Sequence, residues 1–517
     1  MGTDPPPWVR DAIVYQIFPD RFASSARVPK PGRLEAWGAP PTRHGFKGGD
    51  LIGIIEHLDH LSGLGVNTIS LNPIFASAAN HRYHTYDYRA VDPLLGGDAA
   101  LRELLDAAHE RGMRVILDGV FNHASRGFWP FHHVMENGSA SPYVDWFILN
   151  PEFLAAGRQL RAYDEPSIAE VLETEWAEAH AAGTESLTTL GYRAWWDLPA
   201  LPKLNTDNPE VRAYLFGAIE HWTRFGADGW RLDVAAEIET PGFWEEFRAR
   251  VRAVNPEAYI VAENWEERPA LLDGRTFDAL MNYPFLCATV GFAAGAHLDP
   301  RVVAQHAWLT RRIMPLDGAA FAERLSHLAE LYRAEARDVM LNLVDSHDTP
   351  RLRSMAGGDL AAMRLALLVQ MTFPGAPCVY YGDEIGMAGE MDPASRASFP
   401  WDREAWDHEL LAYAHGVIEL RSRTPALRAG ELRVVGAAGP ALAYLRGDGR
   451  SAVVLVALNN ADERATLEVL VPELGRRALR IIPLPGVDLL PDLATGSDGA
   501  LRLVIPARSG MVMEPAP

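Results

Sequence analysis

Two cysteines, Cys287 and Cys378, in 517 residues are too few for a disulfide framework or a cysteine zinc site. Both sit in apolar text and read as inert. No stretch approaches the roughly 20 apolar residues of a membrane-spanning helix. Residues 1–10 carry no positive flank ahead of an apolar run. No signal peptide and no membrane contact are expected, and the expected location is the cytoplasm. Basic residues are outnumbered, with 48 Lys+Arg against 68 Asp+Glu, a net charge of −20. A chain without a basic face is not expected to hold nucleic acid. Internal repeats and low-complexity tracts are also missing, and no glycine-rich phosphate loop follows the first strand-like segment. What remains, 48% hydrophobic and 22% charged residues, is ordinary globular composition with ample material for a core.

From Ala12 onward, strand-like and helix-like text alternate for about 400 residues. One unit shows the logic. Asp98 reads as a helix cap ahead of Leu101, Leu104, Leu105 and Ala108 at spacings of three and four. Gly112 stands where a left-handed C-terminal residue is wanted, and the apolar run Met113 to Val120 follows. Asn208-Pro209 opens another helix in the same way. The strand-like runs are Ala12 to Pro19, Val66 to Leu71, Met113 to Val120, Gly229 to Val234, Tyr259 to Ala262, Ala279 to Asn282, Met340 to Val344 and Cys378 to Tyr381. Eight such runs with helices between them predict a (β/α)8 TIM barrel formed by residues 1–122 and 206–428. Residues 123–205 are too long for a loop and are expected to form an inserted subdomain after the third strand. Its aromatic-rich stretch, Phe128 to Phe147, suits either a sugar-binding wall or a small core. Residues 429–517, with glycine-rich turns such as Gly447-Asp448-Gly449, are expected to form a separate all-β sandwich.

Barrels carry their chemistry at the C-terminal ends of the strands. The polar residues there are Asp118, Asn122 and His123 after the third run, Arg231 and Asp233 on the fourth, Glu263 after the fifth, and His347 and Asp348 after the seventh. Asp233, Glu263 and Asp348, three carboxylates directed at one axis, repel one another, which a purely structural barrel would not favour. Such a cluster could bind Mg²⁺ or Ca²⁺. Alternatively, one carboxylate attacks a sugar carbon while a protonated second one serves the leaving oxygen. Arg231, two residues before Asp233 on the same strand face, is expected to keep that carboxylate ionised and to disfavour a metal there. Tyr83, Trp195, Trp196 and Trp265 could stack on sugar faces.

The strings DGVFNH (Asp118 to His123), GWRLDV (Gly229 to Val234), AEN with Trp265 (Ala262 to Trp265), VDSHDTPR (Val344 to Arg351), LPKLN (Leu201 to Asn205) and YYGDEIGM (Tyr380 to Met387) resemble the α-amylase family of glycoside hydrolases. More narrowly, they resemble its cyclomaltodextrinase, neopullulanase and maltogenic amylase group. The resemblance covers roughly residues 10 to 510. It implies Asp233 as nucleophile, Glu263 as general acid/base, and Asp348 as the carboxylate that binds sugar hydroxyls and favours a distorted ring. It also implies a substrate-binding set of Tyr83, His123, Arg231, Glu237, Trp265, His347, Asp392 and Arg396. The implied activity is retaining hydrolysis of α-1,4-glucosidic bonds in cyclodextrins and maltooligosaccharides, with some transfer to sugar acceptors. An α-glucosidase or 4-α-glucanotransferase using the same residues is the alternative. No metal and no cofactor are expected, and the expected partner is an α-glucan oligosaccharide.

Several positions depart from the family pattern. The text starts at the barrel, whereas the group usually carries an N-terminal β-domain that helps build a dimer, so monomer and homodimer both stay open. Ala23 to Arg27 stands where a calcium loop is common and offers few oxygen ligands. Ala235-Ala236-Glu237 lacks an amide usual on the acceptor side, and His84 stands where an Asp is usual.

Overall fold

The structure, a computed structural model, describes residues 4–163, 185–447, 453–487, 491 and 493–516. Its centre is a parallel sheet of β1 (Val14–Ile17), β2 (Thr68–Leu71), β3 (Arg114–Gly119), β4 (Gly229–Leu232), β5 (Tyr259–Ala262), β6 (Ala279–Leu280), β7 (Leu341–Asn342) and β8 (Ala376–Tyr380). Each strand pairs with its neighbour in sequence, and β8 pairs with β1. A parallel bridge from Met281 to Leu341 joins β6 to β7 and closes the TIM barrel. The strands are buried on both faces, which is why they read as β-branched and apolar runs rather than alternations. β6 and β7, at two residues each, are shorter than their apolar text.

The helix Gly97–Glu110 buries Leu101, Leu104, Leu105 and Ala108, and Gly112 follows it in the left-handed region at φ +71°. Asp98 is not its cap. Gly96 opens the helix, and Asp98 lies within the first turn, accepting a hydrogen bond from the Val91 amide at 2.9 Å. In the helix Pro209–Phe225, Asn208 caps the Glu210 amide and Val211, Leu215, Ile219 and Trp222 face the barrel.

After β3 the chain leaves the barrel and returns beside itself, with bridges His123–Lys203 and Phe147–Leu204. Phe128, Phe131, Phe147 and Tyr192 are buried there. Phe131 meets the Phe147 and Tyr192 rings edge-on, both at 4.9 Å. The aromatic stretch is therefore chiefly a small core, not a sugar wall. Beyond the barrel, Glu431–Ala438, Ala441–Gly447, Val453–Asn459, Ser509–Pro515, Ala478–Ile481 and Leu493–Ala494 form an antiparallel sheet. The pair Ala465–Leu470 and Ala500–Ile505 packs on it through Leu455, Leu467, Val469, Leu503 and Met511. Asp448 and Gly449 of the expected turn lie outside the described residues, as do residues 164–184 of the insertion.

Candidate active site

The barrel ladder sets the first half of the site. Asp118 on β3 is in register with Arg231 on β4, and Arg231 with Val261 on β5. The ladder runs on past the strands, since the Asp233 amide donates to Gly119 O at 3.0 Å and the Glu263 amide to Leu232 O at 2.9 Å. Asp233 and Glu263 thus leave adjacent strands at the same level. Directly after Asp233, Val234 takes φ +38° and ψ +46°, a left-handed conformation that a β-branched residue adopts at a cost of about 1–3 kcal/mol. That turn points the Val234 amide at Glu263 Oε2, 2.9 Å away.

Arg231 is the hub, and its side chain is only 4% exposed. Its Nη1 lies 2.9 Å from Asp233 Oδ1 and 3.0 Å from Asp118 Oδ1, and its Nη2 lies 3.0 Å from Glu263 Oε2. Burial opposes the guanidinium charge, but the Asp118 and Glu263 carboxylates outweigh it and raise its pKa further. One cation cannot neutralise three buried carboxylates. Burial therefore pushes Asp233 well above the usual carboxylate range, with Arg231 pulling it down and Glu263 and Asp118 pushing it up. Asp118 moves the same way, raised by burial against Arg231. Arg231 was expected to keep Asp233 ionised, and it does pull the Asp233 pKa down, though against burial and two neighbouring carboxylates. The guanidinium is shared among Asp118, Asp233 and Glu263.

The opposite wall comes from the loops after β2, β7 and β8. His347 is fully buried; its Nε2 lies 2.7 Å from the Tyr83 hydroxyl and 3.0 Å from Asp348 Oδ2. Gln16, at the end of β1, reaches His347 Nδ1 at 3.0 Å. The Tyr83 hydroxyl donates to Asp118 Oδ2 at 2.9 Å and accepts from the Asn72 amide at 3.0 Å, while its ring stacks on His347 at 5.4 Å. Burial, opposed by Arg231, holds Tyr83 as the phenol. Arg396 donates through Nε to His347 O at 2.8 Å and pairs with Asp348 at 3.3 Å and with Asp392 at 3.3 Å. For Asp348, burial is outweighed by His347 and Arg396, so its carboxyl stays below the usual range. Its side chain is 29% exposed.

His123 stacks on Trp195 at 5.0 Å. Burial, helped by the nearby His84, pushes its pKa down to about 3, and its Nε2 is buried without a partner among the described residues. Trp265 donates through its indole N–H to Glu263 Oε1 at 2.9 Å. Glu237 stands apart from the cluster. Its carboxylate lies 3.9 Å from Lys203 Nζ, and that ammonium donates to Glu237 O at 2.7 Å. The structure thus joins Asp233, Glu263, Asp348, Tyr83, Arg231, Trp265, His347, Asp392 and Arg396 in one network of contacts, and leaves Glu237 and His123 at its edges.

Sequence reasoning missed Gln16 and Asn72, although both are polar residues at barrel strand ends, the signal used for the others. It also missed Tyr283, His306 and Trp308, which form an aromatic wall with Trp265. Tyr283 opens the helix Tyr283–Ala294, and Trp308 lies in the short helix Ala307–Thr310 that His306 precedes, so none of them stands at a strand end. Asp118 was legible as a strand-end carboxylate but had no assigned role; here it shares Arg231 with the reacting pair. Among the described residues, no group of three or more His, Cys, Asp or Glu side chains could hold a metal ion, and no helix is long and apolar enough to cross a membrane.

The family described as "Alpha amylase, catalytic domain" matches residues 16–426. A cyclomaltodextrinase from a Bacillus species is 42% identical over 470 residues, covering 90% of this chain and 75% of its own. Neopullulanase 2 of Thermoactinomyces vulgaris is 37% identical over 512 residues, covering 98% of this chain and 78% of its own. Among solved structures, the Nostoc punctiforme debranching enzyme in its native form superposes with a TM-score of 0.84 at 42% identity, covering 99% of this chain and 100% of its own. A strand-end cluster of carboxylates on a closed eight-stranded barrel defines the class, and these matches define the family: the chain belongs to the α-amylase family. It is a glycoside hydrolase with close relatives named cyclomaltodextrinase and neopullulanase.

Proposed function

We propose that this enzyme hydrolyses α-1,4-glucosidic bonds of cyclodextrins and short maltooligosaccharides with retention of configuration, passing some product to sugar acceptors. The observation that carries the reading is a single guanidinium, Arg231, holding Asp233 by Nη1 and Glu263 by Nη2. Carboxylates held this close favour direct attack over a water seated between them, the arrangement of retaining enzymes.

With Oδ1 bound to Arg231, Oδ2 of Asp233 is the attacking oxygen. Positive charge growing at the anomeric carbon favours the ionised Asp233 and leaves the pair's shared proton on Glu263. Glu263 gives that proton to the departing glycosidic oxygen as Asp233 bonds to the carbon. It then takes a proton from water, whose oxygen displaces Asp233. Asp348, kept ionised by His347 and Arg396, binds hydroxyls of the same sugar ring. The unpartnered Nε2 of His123 and the Tyr83 ring complete that subsite, and Asp392 with Arg396 serves the next sugar on the non-reducing side. Glu237, Lys203 and Trp265 line the acceptor side. The substrate is an α-glucan oligosaccharide and the cytoplasm is the proposed location, in line with relatives named intracellular maltogenic amylase.

Incubation with β-cyclodextrin, maltotriose, pullulan and soluble starch tests this reading. Glucose and maltose are expected, with the α-anomer first by NMR; no sugar released from any of the four, or the β-anomer first, contradicts it. Longer oligomers at high maltotriose would mark the transferase alternative as dominant, and cleavage of pullulan's α-1,6 bonds would extend the specificity towards debranching. A second expectation concerns Tyr83→Phe. It leaves Asp118 Oδ2 and His347 Nε2 each short of a partner, at about 1 kcal/mol per bond. We expect kcat/KM on maltotriose to fall roughly tenfold or more, measured by steady-state kinetics; an unchanged value would detach Tyr83 from the site.

A further inference from the structure

From the geometry around Glu263 we infer that Oε1 is the proton-donating oxygen and that Trp265 is a positioning residue which aims it. The inference rests on Glu263 being the acid. Oε2 already accepts from the Val234 amide at 2.9 Å and faces Arg231 Nη2 at 3.0 Å. That oxygen already accepts one hydrogen bond and faces the guanidinium charge, so a proton there would oppose both. Oε1 accepts the Trp265 indole N–H at 2.9 Å. An oxygen that accepts one hydrogen bond can still carry a proton on its remaining lone pair, and the indole then fixes the direction in which that O–H points.

The indole itself has little freedom. It lies between the rings of Tyr283, 3.7 Å away at 11°, and His306, 5.1 Å away at 13°. Trp308 closes the stack edge-on at 5.1 Å. Trp308 is held in turn by its N–H to Glu266 Oε1 at 2.9 Å. A ring clamped on both faces keeps its N–H in one direction, so the clamp fixes the carboxyl through a single hydrogen bond.

In the first step, the O–H bond at Oε1 and the C1–O bond to the leaving sugar break. The glycosidic oxygen keeps the C1–O electron pair and takes the proton, and an Asp233 oxygen forms the new bond to C1. In the second step, water loses its proton to Oε1 while its oxygen bonds to C1 and the Asp233 ester opens.

Leaving-group dependence separates positioning from simple sugar stacking. Maltotriose needs a proton delivered to a poor leaving group; α-maltosyl fluoride needs little acid help. Trp265→Phe keeps a stacked ring and deletes the N–H. We expect the ratio of first-turnover rates, maltotriose over α-maltosyl fluoride, to fall roughly tenfold or more. Trp265→His, whose Nε2 can take the indole nitrogen's place in a five-membered ring, should recover much of the ratio. A ratio that stays constant in Trp265→Phe, whether both rates hold or both fall together, overturns the proposal. Glu263→Gln measured alongside keeps the two readings apart. A collapsed ratio in Glu263→Gln with a constant ratio in Trp265→Phe removes only the role of Trp265. A constant ratio in Glu263→Gln removes Glu263 as the acid.

Discussion

Asp233→Asn is expected to lower kcat by at least about 10⁴-fold, the scale on which deletion of a covalent nucleophile acts, without unfolding the protein. The amide keeps an oxygen for Arg231 Nη1, which now lies 2.9 Å from Oδ1, but an amide does not form the glycosyl ester. The stability side of the prediction is less usual. Burial and the Glu263 and Asp118 charges raise the Asp233 pKa, so the folded state binds a proton in a window where the unfolded chain, near pH 3.9 for this group, has lost it. Ionising Asp233 therefore costs stability as pH rises through the raised value. The variant escapes that cost, so its thermal midpoint at pH 7 to 8 should equal or exceed that of the parent, with the difference shrinking towards pH 4. Kinetics on maltotriose and thermal unfolding across pH check both halves. Retained turnover contradicts the assignment of Asp233, and a large loss of stability contradicts the account of its electrostatics.

Arg231→Met should be the more damaging change. It leaves Asp118, Asp233 and Glu263 buried without the cation that all three face. Removing one partner of a buried ion pair costs about 3–5 kcal/mol. Activity should fall at least about 10³-fold, because the nucleophile loses its counter-charge and the acid loses one of the contacts that hold Oε2. The sign of the pH effect follows from the same carboxylates. Asp118 and Asp233 are already raised by burial against the pull of Arg231. Without Arg231 both rise further, and stability is lost as pH climbs through the new values. The gap in melting temperature between variant and parent should therefore widen from pH 5 to pH 8. A gap independent of pH would mean that the charge of Arg231 contributes little and that its loss acts through packing.

How much of this was legible in the sequence depends on the kind of signal. The two-residue period of β4 puts Arg231 and Asp233 on one face, and the apolar run Tyr259 to Ala262 puts Glu263 just past a strand end. Both are local patterns, and the structure places these residues together. Asp348 is different. The strand-like run was read as far as Val344, with Asp348 after it; β7 ends at Asn342, so Asp348 sits further beyond the ladder than that reading placed it. The cap expected at Asp98 failed because a left-handed glycine at position 96 starts the helix and frees Asp98 to bind the Val91 amide. The aromatic wall of Tyr283, His306 and Trp308 comes together from the starts of two separate helices, and nothing in their spacing announces the contact. Counting an arginine beside an aspartate left out Asp118 and Glu263, which register brings to the same guanidinium. Which group shares which cation is a tertiary property.

The central claim is that Asp233 forms a covalent bond to the sugar while Glu263 moves the proton. Its most direct test is to react Glu263→Gln with α-maltosyl fluoride, quench, digest and map the peptides by mass spectrometry. The first step needs little acid with this substrate, whereas the second has lost its base, so the ester should accumulate. The account predicts a maltosyl adduct on the peptide carrying Asp233 and its absence when Asp233→Asn is added. An adduct on another carboxylate, or fluoride released with no adduct and with β-maltose as first product, would contradict it.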